Sequence, residues 1–65
     1  MERLEFVEQC YLKNANPFIT IKMSDSVIYA DGFFFEEYDY SDNIVLLFRG
    51  WQIAKMNIKD IIAVD

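Results

Sequence analysis

Sixty-five residues, 54% of them apolar and 17% aromatic, make one small domain with more hydrophobic surface than a chain of this size easily hides. Eleven carboxylates against six basic residues give a net charge of −5, a balance that repels phosphate backbones and so argues against direct nucleic-acid binding. The single cysteine excludes an internal disulfide, one cysteine without histidine cannot build a zinc cage, and no apolar run reaches the ~18 to 20 residues that cross a bilayer.

The N-terminus, MERLEFVEQC, is acidic where a secretory signal needs a basic start followed by an apolar stretch. With the lone thiol, this points to the reducing cytoplasm. Residues 4 to 12, LEFVEQCYL, read as a strand with Leu4, Phe6, Cys10 and Leu12 on one side. Read as a short helix, they form a modest stripe of Leu4, Val7, Cys10 and Tyr11. The strand is favoured because no N-cap residue precedes the segment and Asn14–Pro17 has the composition of a hairpin turn. Both readings of residues 2–13 stay open at this stage.

Phe18–Met23 alternates, with Ile19, Ile21 and Met23 facing one way and Thr20 and Lys22 the other. Ser24-Asp25-Ser26 has turn chemistry, and Asp31-Gly32 is a two-residue hairpin signal. Ile44 to Phe48 is a continuous apolar run of strand length. A tight turn at Arg49-Gly50 would pair Phe48 with Trp51, Leu46 with Ile53, and Ile44 with Lys55. Ile61 to Val64 closes the chain as a last strand, and eight isoleucines suit a pleated surface.

The stretch between these strands, DGFFFEEYDYSDN (residues 31–43), packs five aromatic rings and five carboxylates into twelve residues. Strict alternation would mix rings and charges on one face. A β-bulge at Glu36-Glu37 sorts them: Phe33, Phe35, Tyr38 and Tyr40 turn inward, and Phe34 stays out among the acids. The expected fold is therefore all-β, a five- to six-stranded antiparallel barrel or roll of SH3-like size, spanning residues 1–65 as one domain.

Residues 19 to 46 resemble the first motif of Sm-like proteins. A strand and an Asp31-Gly32 turn lead to a bent strand, and Asp39 and Asn43 stand four apart before the next one. Phe48-Arg49-Gly50 resembles that family's second motif but follows the third strand directly, with a strand missing between, and the acidic charge departs from an RNA-binding ring. What the resemblance implies is a small bent barrel.

Chemistry is sparse. There is no histidine for base work near neutral pH, and Cys10 reads as a small apolar side chain without a base of its own. Glu36-Glu37 and Asp39 with Asp42 are paired acids that lack a cleft. Asp39, Asp42 and Asn43 gather oxygen ligands, but not at EF-hand spacing, so no metal, cofactor or catalytic residue is expected. The expectation is a non-enzymatic acidic module that binds proteins with a basic face, touching neither membrane nor nucleic acid. Its contact residues would be Asp31, Phe34, Glu36, Glu37, Asp39, Asp42 and Trp51. A sharper form has these acids imitate phosphates and inhibit a nucleic-acid-handling enzyme, a profile common among phage and mobile-element products. The alternative is a homo-oligomer joined through strand edges or apolar surface.

Overall fold

In the computed structural model, which describes residues 1–13, 17–37 and 41–65, the chain is mostly β. It builds two three-stranded antiparallel sheets and one short helix. In chain order these are α1 (Arg3–Leu12), β1 (Ile19–Lys22), β2 (Val27–Ala30), β3 (Gly32–Phe35), β4 (Asn43–Phe48), β5 (Trp51–Asn57), a 3-10 turn (Ile58–Asp60) and β6 (Ala63–Val64). The strands run β2-β1-β6 in one sheet and β3-β4-β5 in the other. The expected single barrel of five or six strands is thus replaced by two sheets that do not close.

The reason lies at Asp31-Gly32. Neither residue has the positive φ that a two-residue hairpin needs. Instead β2 ends at Ala30 and β3 starts at Gly32 in the other sheet, so the chain turns a corner rather than doubling back. Asp31 donates its N–H to the Leu47 carbonyl at 2.9 Å, which seats the corner on β4. The true hairpins are β1–β2, closed where Met23 N–H donates to Ser26 O at 2.9 Å, and β4–β5. In the latter Arg49 (φ 51°) and Gly50 (φ 81°) both take left-handed geometry, the requirement of a type I′ turn.

Phe48 faces Trp51 as the sequence implies, but the register then slips. A bulge opposite Leu46/Leu47 leaves Ile53 as the extra residue, so Leu46 faces Ala54 and Ile44 faces Met56. The expected pairs Leu46–Ile53 and Ile44–Lys55 are each displaced by one. The last strand is shorter than expected, because Asn57 caps a 3-10 turn by accepting from the Lys59 N–H at 2.9 Å. At the other end of the expected bulge site, Glu36 still donates to Asn43 O at 3.0 Å. Its predicted consequence for Tyr38 and Tyr40 lies outside the described residues, as does the turn at 14–16.

The first segment is a helix, not a strand. Glu2 stands at the N-cap position without a side-chain bond, so local signals are as weak as the sequence suggests. Tertiary burial decides instead. Phe6 is completely buried and stands edge-on to Phe33 (4.9 Å between centroids) and Phe35 (6.1 Å). Val7 and Cys10 lean on the same core, while Leu4, Tyr11 and Leu12 face out, so the stripe that docks is not the one the spacing suggested. Around Phe6 the core gathers Ile19, Ile21, Ile44, Leu46, Ile58, Ile61 and Val64 from both sheets. Among the described residues no helix is long and apolar enough to cross a membrane.

Candidate protein-contact surface

The β3-β4-β5 sheet has two apolar faces, because β4 is apolar at consecutive positions. Its inner face sends Phe33, Phe35, Ile44, Leu46, Ala54 and Met56 to the core. Its outer face is a cross-strand row in which Phe34 pairs with Val45 and Val45 with Lys55. Val45 is only 2% exposed, whereas Phe34 beside it is 50% exposed. The Lys55 ammonium lies 3.4 Å from Glu36 at the far side of β4. To reach it, the lysine stem crosses β4 beside Val45, and snorkelling of this kind adds to the valine's cover.

The other expected contact residues that are described meet different parts of the chain. Glu37 and Asp42 converge on Arg3 of α1, which donates Nη1 to Glu37 Oε1 and Nε to Asp42 Oδ1, each at 3.2 Å. Nη2 of the same guanidinium donates to the Ser41 carbonyl at 3.4 Å, and the group lies 3.8 Å over the Phe35 ring. Asp31 accepts the Arg49 N–H at 2.9 Å and so holds the I′ turn rather than facing a partner. Trp51 is 78% exposed at the hairpin end, across the ladder from Phe48, away from Phe34. Asp39 lies outside the described residues. Sequence reasoning placed the acids but missed the cations that meet them. Lys55 became legible only with the correct register, and Arg3 is separated from Asp42 by 39 positions, which no local pattern reveals.

Two of the three oxygen groups that resembled a calcium set, Asp42 and Asn43, have partners within the chain. Asp42 serves Arg3, and Asn43 Oδ1 accepts from Asn57 Nδ2 at 3.2 Å, joining β4 to β5. Among the described residues no group of three or more potential ligands is close enough to hold a metal. A cleft of ≈ 280 Å³ lies between α1 and the sheet corner, lined by Cys10, Lys13, Phe18, Asp31 and Phe33 among others. Burial pushes the Cys10 thiol up to about 11, which holds it in the unreactive protonated form at neutral pH.

No family model matches the chain, and neither a curated protein nor a solved structure matches it.

Proposed function

We propose that this chain is a non-enzymatic protein-binding module whose contact surface is the outer face of the β3-β4-β5 sheet. The observation that carries the reading is the row Phe34–Val45–Lys55. It offers a half-exposed ring beside an apolar residue, with the Lys55–Glu36 ion pair at its fringe. An aromatic anchor beside a small apolar floor, ringed by polar groups, is the make-up of an interface hot spot. Glu36 and its neighbours steer a partner that brings basic groups and an apolar contact. The narrower phosphate-imitating form has less to stand on, since Glu36, Glu37 and Asp42 are engaged by Lys55 and Arg3.

The test is affinity capture with the intact protein and with Phe34→Thr, which keeps a strand-forming residue and removes the ring. Proteins retained by the wild type and lost by a variant that still melts cooperatively support the surface. Equal retention by both would sink it.

A further inference from the structure

We propose that β5 is a self-docking edge: β5 of a second copy pairs with it antiparallel, joining two three-stranded sheets into one of six strands. This goes beyond the outer-face reading and shares only Lys55 with it, through that residue's backbone rather than its place in the row.

β5 is an outer strand of its sheet, and at seven residues the longest strand among the described residues. None of its residues is buried. Backbone alternation shows which groups are free to pair. Glu36 N–H bonds Asn43 O on the β3 side, and Ile58 N–H bonds Asp42 O on the β5 side. In an antiparallel ladder the bonding direction alternates, so Ile44 and Leu46 bond toward Met56 and Ala54. The N–H and C=O of Lys55 consequently point away from β4, toward the open edge.

Proteins usually guard such an edge with charge, proline or a covering element. β5 has no proline, and its single charge, Lys55, is drawn back across the sheet to Glu36. The bulge at Ile53 is its sole remaining guard. By contrast β6 has two residues and β3 four.

Self-pairing suits the strand's own asymmetry. Its first half carries exposed Trp51 and Ile53, and its second half carries Ala54 and Met56, half-covered at the flank of the core. Antiparallel pairing sets the first half of each copy against the second half of the other and covers that flank twice. It also brings Arg49 at one end of each copy next to the Lys59-Asp60 end of the other. With Lys55 held by Glu36, no uncompensated pair of like charges faces across the junction.

Light scattering on a size column, across protein concentration and at low and high salt, tests this. The expected result is twice the 7.7 kDa chain mass at both salts, since backbone pairing and apolar cover are little screened. Lys55→Pro removes the outward donor without touching a bond to β4 and should give a monomer that still melts cooperatively. Lys55→Ala removes the ion pair and the stem but keeps the outward backbone donor, and should stay dimeric. If the proline variant does not fold, Ile53→Lys puts an unpaired charge on the edge and should likewise give a monomer. A wild-type protein that is monomeric up to about 1 mM, a concentration at which even weak pairs assemble, overturns the proposal. So does a dimer that survives both variants, which would place the junction elsewhere. Phe34→Thr should leave the mass unchanged, keeping this inference separate from the outer-face reading.

Discussion

The two faces of β4 make an instructive pair. Ile44 and Leu46 on one side, and Val45 on the other, are all essentially inaccessible, yet their covers are unlike. The inner pair lies under a phenylalanine from α1 and isoleucines from three other segments. Val45 has Phe34 and Lys55 as its cross-strand neighbours, and part of its cover comes from those two mobile side chains. Equal burial therefore does not mean equal commitment: one face is closed by packing and the other by side chains that can move aside. An unbroken apolar run normally marks a strand covered on both sides, and here the second cover is improvised.

Mutations can test that contrast. Leu46→Ala should have the largest effect, about 2 to 5 kcal/mol, because it opens a cavity among fixed neighbours. Against the 5 to 15 kcal/mol typical of a whole domain, urea titration should show the midpoint fall by a large share of its wild-type value. Val45→Ala should cost roughly 1 to 2 kcal/mol, close to the transfer value of two methyl-sized groups, since the lysine stem can settle into the gap. If the two losses are equal in the same titration, the outer cover is as rigid as the core and the contrast fails.

Arg3→Ala comes next, at about 1 kcal/mol. Two partly exposed ion pairs contribute little each, and stacking on Phe35 adds a comparable amount. The loss should shrink in high salt but not vanish, because the stack is less screened than the pairs. Arg3→Lys should recover only part of it, lacking the fork that reaches Glu37 and Asp42 together. The smallest effect belongs to the other sheet, where Lys22 pairs with Asp65 in full solvent. The hydrogen bond from Lys22, and then its charge, holds the Asp65 carboxyl below its usual 3.8. Its contribution is present above that value and fades as pH falls below it. The Lys22 ammonium, raised by the same bond, contributes below 10.5 and loses that contribution as pH climbs past it. Thermal melts at acid pH of wild type and Asp65→Asn should converge, and a gap that widens on acidification would contradict the pairing.

Much of this architecture could be read beforehand where neighbours in sequence are neighbours in space. The β4–β5 hairpin, the serine-flanked turn, the burial of Ile19 and Ile21, and Phe34 left outside between inward Phe33 and Phe35 all follow from local pattern. What was hidden depends on distant partners. The helix forms because Phe6 finds Phe33 and Phe35, not because residues 3–12 cap or stripe well. The corner at Asp31-Gly32 has the letters of a hairpin, but Leu47 claims its backbone. The ion pairs of the rim were hidden for the same reason: its carboxylates were plain in the sequence, while the cations that meet them come from residues 3 and 55.

The meeting of the chain's two ends sets a timetable for its synthesis. Phe6 belongs to a core completed by Ile58, Ile61 and Val64, and β1 finds β6 through Ile21–Val64 and Lys22–Ala63. At ~5 to 20 residues per second, a ribosome releases the last of these roughly 3 to 12 seconds after the first. During that interval α1's segment carries Phe6 and Val7 bare, with Leu4, Tyr11 and Leu12 beside them. The nascent chain's hazard is therefore one of waiting. Its yield in a cell will follow how well that first dozen residues are shielded, before any measure of the finished fold applies.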